Sequence, residues 1–141
     1  MKFSNKVKKG LGFSKKIQRR IILDTNFLLI PFQFRVDIFE EVKKIADFKY
    51  KLFVLDKTLD ELVKIQKEQK GKNRAAAKLA LQLIKKKDVK IIKTTEDKIV
   101  DDLLAQYSRK GDIIATQDLG LKRRLKKPYI ILRQKKYLAL T

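Results

Sequence analysis

Two rhythms of apolar and polar positions run through the chain. Five short apolar stretches read as strands: 21–25, 51–55, 89–93, 112–116 and 129–132. Each is a nearly continuous run of Ile, Leu, Val or Phe, the pattern of a strand covered on both faces. Between them the period becomes helical. Val36, Phe39, Val42 and Ile45 space a helix over about 34–48, and another, opening with Thr58 and Glu61 in capping-box spacing, runs to about Lys70, where Gly71 breaks it. A stripe of Leu79, Leu83 and Ile84 predicts a helix over about 73–87. Ile99, Val100, Leu103, Leu104 and Tyr107 mark a helix that opens at Thr94 or Thr95 with Glu96 and Asp97 in its first turn. A basic helix over 121–127 is stopped by Pro128. Gly111 is placed to end the helix before the fourth strand.

Strands that alternate with helices predict an α/β fold, three α/β/α layers around a central, mainly parallel five-stranded sheet of Rossmann-like type. By its place in the order the fifth strand is edge-like. The domain covers residues 21–141, and Met1–Arg20 is a basic arm ahead of it. With strand one central and strand four beside it, the chain order reverses between them, and the crevice at their carboxyl ends is where such sheets bind ligands.

The first candidate for chemistry sits there. Asp24 follows Ile21-Ile22-Leu23 and precedes Thr25-Asn26. It either caps a helix or is the first ligand of a site. Pro31 lies close and the next helical pattern begins near Val36, so a cap at 24 serves a single turn at most, which tilts the reading toward a site. Asp118 stands after strand four as Asp24 does after strand one. Asp112 lies at the opposite end of strand four, roughly 15–20 Å away at about 3.3 Å per residue, and is not a co-ligand. Glu61 has two readings. It stands in capping-box spacing with Thr58, and it falls in the first turn after strand two, beside Asp24. Asp101 and Asp102 flank the apolar stripe of their helix roughly 100° apart, so only one of them points at a given site.

Composition narrows the chemistry. The 141 residues hold no Cys and no His, which removes Ser-His-Asp and Cys-His nucleophile systems and zinc sites built on thiolate or imidazole. The one G-x-G, at residues 10–12, follows no strand and lacks a third glycine, so a phosphate-cradling loop is not expected. If the protein is an enzyme, carboxylates do the work, with a hard cation such as Mg²⁺ or Mn²⁺. The 36 Lys and Arg against 16 Asp and Glu give a formal net charge of +20, and every acid lies between Asp24 and Asp118. That excess points to a polyanion partner, nucleic acid ahead of a membrane surface. No apolar run approaches the roughly 20 residues of a membrane span, and the N-terminal segment lacks the apolar core of a signal peptide. The expectation is a cytoplasmic protein without a membrane partner.

Taken together, Asp24-Thr25-Asn26, Glu61-Leu62, Asp101-Asp102-Leu103-Leu104 and Ile113-Ile114-Ala115-Thr116-Gln117-Asp118 resemble, in order and spacing, a PIN-domain ribonuclease over about residues 20–133. Leu23 to Phe27, Val100 to Leu103, and Ala115-Thr116 through Leu121-Lys122-Arg123-Arg124 are most similar to the PIN endonucleases that process small-subunit ribosomal RNA. The resemblance implies a Mg²⁺- or Mn²⁺-dependent endoribonuclease with one or two ions. It implies catalytic Asp24, Glu61, Asp102 and Asp118, with metal held by Asp24, Asp101, Asp102 and Asp118. Asp102 is preferred over Asp101 by motif. Asn26 and Thr116 become hydrogen-bond partners behind the ligands. Gly120 departs from the pattern, since many PIN domains carry a further acid there. RNA contacts are expected from Lys15, Lys16, Arg19 and Arg20 of the arm and from Lys122, Arg123 and Arg124 on the rim of the cleft. The implied substrate is a ribosomal RNA precursor, with pre-ribosomal proteins as further partners and an oligomer left open. A toxin ribonuclease of a toxin–antitoxin pair and a non-catalytic RNA-binding scaffold are the alternatives.

Overall fold

A computed structural model describes residues 18–141 of the chain. Lys15 and Lys16, with most of the basic arm, lie outside the described residues. The strands are β1 (Arg19–Leu23), β2 (Tyr50–Leu55), β3 (Lys90–Ile92), β4 (Ile113–Ala115), β5 (Ile130–Arg133) and β6 (Tyr137–Leu140). The helices are α1 (Thr25–Leu28), α2 (Ile30–Phe34), α3 (Ile38–Ile45), α4 (Asp56–Glu68), α5 (Gly71–Lys86), α6 (Val100–Arg109) and α7 (Leu119–Lys122).

One six-stranded sheet runs in the order β3-β2-β1-β4-β5-β6. Every pair is parallel except β5 with β6. From β1 the chain steps outward through β2 to β3, then returns to lay β4 on the other side of β1, with Ile22 opposite Ile114 and Leu23 opposite Ala115. The expected reversal of order therefore lies between β1 and β4. The α/β architecture is as the alternation predicts, with two corrections. The sheet has six strands, because residues 137–140 fold back antiparallel on β5, Leu132 opposite Leu138. The fifth strand is accordingly interior. The turn residues Gln134 and Lys135 both adopt left-handed φ, which makes the hairpin.

Alternation along the central strands divides the core. Ile21, Leu23, Ile113 and Ala115 face the layer of α1 to α5, while Ile22 and Ile114 face α6 and α7 through Leu103, Leu104 and Leu121. Three local differences have plain causes. The helix expected over 34–48 is the shorter α3, which starts at Ile38 because Arg35, at φ 56°, breaks the path and Asp37 then caps α3 through the amides of Phe39 and Glu40; ahead of it Asp24 starts a turn at once, giving the short α1 and α2. The helix expected from Thr94 begins at Val100, because Thr94 is held elsewhere: its amide and hydroxyl both donate to Asp56, at 3.1 and 2.7 Å. The basic helix over 121–127 is one turn, Leu119–Lys122. Gly71, at φ +64°, turns the chain from α4 into α5, a conformation that suits glycine.

Candidate active site: an acidic cleft at the strand carboxyl ends

Asp24 leaves β1 with its amide still bonded to Ala115 of β4, at 2.9 Å. Its carbonyl accepts from Phe27 and Leu28, so it caps α1 as well as standing at the switch point. The side chain is only 5% exposed. One carboxylate oxygen accepts from the Thr25 amide at 2.8 Å and the other from the Thr116 hydroxyl at 2.7 Å. Cap and site are thus one residue, and the two readings of Asp24 do not compete.

Thr116 is fully buried and its hydroxyl also accepts from the Asp118 amide at 3.1 Å. Asp118 in turn caps α7 by accepting from the Leu121 amide at 3.1 Å. Asn26 holds the same loop from the β1 side. Its side-chain oxygen accepts from the Gln117 amide, and its backbone carbonyl accepts from the Gln117 side chain, both at 3.0 Å. A hydrogen-bonded strap thereby locks the loop after β4 to the turn after β1. Thr116 thus bonds to Asp24 directly, and Asn26 reaches the same loop through Gln117. Gln117 and Thr25 were not singled out from sequence. Thr25 donates its hydroxyl to Glu61 at 2.7 Å. The signal for both was their place inside the two acidic motifs, where a polar side chain between ligands has little else to do.

Glu61 is not part of a capping box. The helix begins three residues earlier than that box requires, with Leu55 as its N-cap and no side-chain cap. Asp56 occupies the first turn, and the Thr58 hydroxyl is buried without a partner. One turn further on, Glu61 faces the cleft.

That cleft, about 400 Å³, is lined by ten residues that include Asp24, Glu61, Asp101 and Asp118 and no Lys or Arg. Apolar walls come from Leu29, Ile65, Ile99 and Val100. Asp102 is not among the lining residues. It points away and accepts from the Arg124 guanidinium at 2.8 Å, with both side chains 46% exposed. Of the adjacent pair, then, the cleft receives Asp101, whereas the sequence motif favoured Asp102.

Electrostatics bears out the crowding. Burial raises the Asp24 carboxyl above its ordinary range, and the like charges of Asp101 and Glu61 add to it, against the bonds from Thr116 and Thr25. Burial likewise raises Asp101, reinforced by Asp118, Asp102 and Glu61, with Arg124 opposing. A cleft of hard oxygen donors with no lining cation fits the chemistry of Mg²⁺ or Mn²⁺. Among the described residues no three acidic side chains are gathered tightly enough to cage an ion unaided. A cation that keeps several waters, as Mg²⁺ does, suits such an open set.

The cations expected to meet RNA divide. Arg20 is bound by two nitrogens to Asp112, at 3.2 and 3.0 Å, and lies over the rings of Phe53 and Tyr107. Arg19 bonds to the Gly111 carbonyl and lies over Phe48. Both belong to β1 at the amino ends of the strands, away from the cleft, and Asp112 is there with them as expected. Lys122 ends α7, the helix that Asp118 caps, and Arg123 and Arg124 come straight after it; of the three, Arg124 acts by its charge on Asp101. Among the described residues no helix is long and apolar enough to cross a membrane.

A mainly parallel sheet with an acidic cleft at its switch point defines a carboxylate-based α/β domain. The chain belongs to the PIN-like domain family, whose model matches residues 21–135. It is similar to ribonuclease VapC4 of Methanocaldococcus jannaschii, 31% identical over 125 residues, which cover 84% of this chain and 93% of the relative. Its fold is similar to that of the PIN domain endonuclease Utp24, with a TM-score of 0.69 and 23% identity over 86% of this chain and 90% of the other.

Proposed function

We propose that this protein is a metal-dependent endoribonuclease whose cleft residues are Asp24, Glu61, Asp101 and Asp118, and that its substrate is a ribosomal RNA precursor. The observation that carries the reading is the cleft itself: four carboxylates, one of them buried, with no basic residue among the lining. Ionised together they repel, so the arrangement is costly unless a cation joins them. Asp24, Asp101 and Asp118 would hold it, with Glu61 beside them, held by the Thr25 hydroxyl. A bound Mg²⁺ or Mn²⁺ would supply a water of lowered pKa and would stabilise charge on the leaving oxygen of a phosphodiester. The chain's own residues do the rest. Thr116 and the Thr25 amide fix the Asp24 carboxylate in one rotamer, the Thr25 hydroxyl aims Glu61, and Asn26 with Gln117 keeps Asp118 at its post. Lys122, Arg123 and Arg124 on the rim offset the repulsion between acidic cleft and RNA backbone.

The relation to ribonuclease VapC4 supports RNA as substrate. The ribosomal role rests on the motif resemblance to the small-subunit processing enzymes. A second reading, a toxin ribonuclease, draws on that same relative. Crosslinking the protein to RNA in cells separates the two: reads concentrated on precursor ribosomal RNA support the first, and their absence there overturns it. For the activity, millimolar Mn²⁺ should raise the melting temperature and start cleavage of a short single-stranded RNA, and Asp24→Asn should weaken the first and abolish the second. Unchanged melting of the wild type with metal would refute the shared site.

A further inference from the structure

Asp102 and Arg124 form an ion pair, and the proposed reaction leaves Asp102 without a role. Asp102 lies in the first turn of α6, one residue from the cleft-facing Asp101. Arg124 lies in the turn after α7, its amide bonded to the Leu121 carbonyl at 2.8 Å. Both roots are rigid: Leu121 is buried in the same core cluster as Leu103 and Leu104 of α6, and α7 starts at the cap made by Asp118. The pair therefore spans two well-packed elements on the same face of the sheet. Arg124 is near enough to the cleft for its charge to act on Asp101. Asp102 accepts from one terminal nitrogen, and a guanidinium carries five N–H donors in a planar fork.

An exposed ion pair of this kind contributes little to stability, about 0–1 kcal/mol. It does remove rotamer freedom from a long side chain, and that matters where the side chain must meet a ligand. The two non-bridging oxygens of a tetrahedral backbone phosphate can accept two parallel N–H bonds from an arginine fork. The cleft lining itself holds no positive charge, so a cation for the phosphates must come from beside it.

We propose that Asp102 is a positioning residue that holds the Arg124 guanidinium at the cleft mouth, where it binds the RNA phosphate adjacent to the one that is cut. The inference rests on the endoribonuclease reading. It gives the two adjacent aspartates different work: Asp101 serves the cleft and Asp102 serves the substrate clamp.

The test uses the full chain with a short single-stranded RNA and with copies of it carrying one uncharged methylphosphonate linkage at successive positions around the cut. Arg124→Ala should raise KM about tenfold with kcat within about twofold, the pattern of a lost binding contact. Arg124→Lys, which keeps the charge and loses the fork, should fall between. Asp102→Asn should raise KM by part of that amount, and it should add nothing in the Arg124→Ala background. At one flanking position the neutral linkage should cost the wild type about tenfold and Arg124→Ala almost nothing further. The Mn²⁺-induced rise in melting temperature should persist in Asp102→Asn and shrink in Asp101→Asn. The proposal is overturned if every neutral linkage penalises wild type and Arg124→Ala alike, or if Asp102→Asn removes the metal response and lowers kcat by orders of magnitude. If the wild type cuts none of these RNAs with metal present, the endoribonuclease reading fails. Anisotropy binding of the same set by wild type and Arg124→Ala then still decides whether Arg124 reads a phosphate.

Discussion

Thr116→Val tests whether the buried carboxylate at the switch point depends on one hydroxyl. The substitution keeps the shape of a fully buried side chain and deletes a 2.7 Å bond to Asp24 and an acceptor for the Asp118 amide. A hydrogen bond to a charged partner is worth about 1.5–3 kcal/mol, and an ordinary one about 1. The expected loss at pH 7 is therefore about 2–4 kcal/mol, or roughly 3–5 °C in melting temperature for each kcal/mol in a domain of this size. The loss should depend on pH. Burial already holds the Asp24 carboxyl above its usual range, and the Thr116 bond is the largest influence opposing that. Its removal raises the folded-state value further, while the unfolded value stays near the ordinary one. A carboxyl that binds its proton more tightly when folded costs stability wherever it is ionised in the unfolded chain. The cost is complete above the folded-state pKa and disappears below about pH 4, the ordinary carboxylate range. Urea unfolding of wild type and Thr116→Val, at pH values from 7 down to 3.5 in enough salt to screen the positive charge, should show the difference narrowing to about 1–2 kcal/mol at the acid end. Thr116→Ser, which keeps the hydroxyl, should show a smaller loss that does not vary with pH. A Thr116→Val deficit of equal size at both ends of the range would mean that the site lost packing and not a charge-assisted bond.

Glu61→Gln should leave the melting temperature within about 2 °C, because Gln still accepts from the Thr25 hydroxyl, and should cut cleavage at least a hundredfold; full activity would remove Glu61 from the site. Gly120→Ala places a Cβ 3.2 Å from the Asp118 carboxylate, so metal-dependent cleavage should fall even though the change favours the helix by about 1 kcal/mol; unchanged kinetics would show that Asp118 has room to move. Leu103→Ala, at a fully buried position between α6 and the sheet, should cost about 2–5 kcal/mol in urea unfolding. Deleting residues 2–17, which stops short of β1 at Arg19, should spare short RNAs and flatten the salt dependence of binding to long structured RNA; an unchanged slope would separate the arm's charge from RNA.

Which parts of this were legible in the chain follows from the reach of each signal. Ile21-Ile22 and Ile113-Ile114 announce buried parallel strands because a strand covered on both faces must be apolar throughout, and that requirement is local. The reversal between β1 and β4 followed from the alternation of elements and the placement of one aspartate after each of the two strands. What escaped were choices made by a distant partner. Thr94 reads as a helix start, yet Asp56, 38 residues away, claims its amide and hydroxyl and delays α6 to Val100. Thr58 and Glu61 read as a capping box, yet Asp56 starts the helix early and leaves Thr58 inside it. Tyr137–Leu140 is apolar enough for a strand, but the signal for its hairpin is a pair of left-handed residues, Gln134 and Lys135, of types that seldom adopt that conformation.

The choice between Asp101 and Asp102 is the instructive case. Periodicity separates them by about 100° on the helix and allows only one to face a given point. The motif resemblance favours Asp102, and the apolar stripe, which both residues flank, does not decide between them. The decision comes from what stands opposite each. Asp101 meets a wall that already holds Asp24, Glu61 and Asp118, and Asp102 meets a guanidinium presented by the turn after α7. That turn is where it is because Asp118 caps α7. The same aspartate that closes the acidic cleft thus sets the basic rim beside it. Positive charge can stand next to the carboxylates without entering the cleft and quenching them, which is the separation a site needs if it is to admit both a cation and a polyanion.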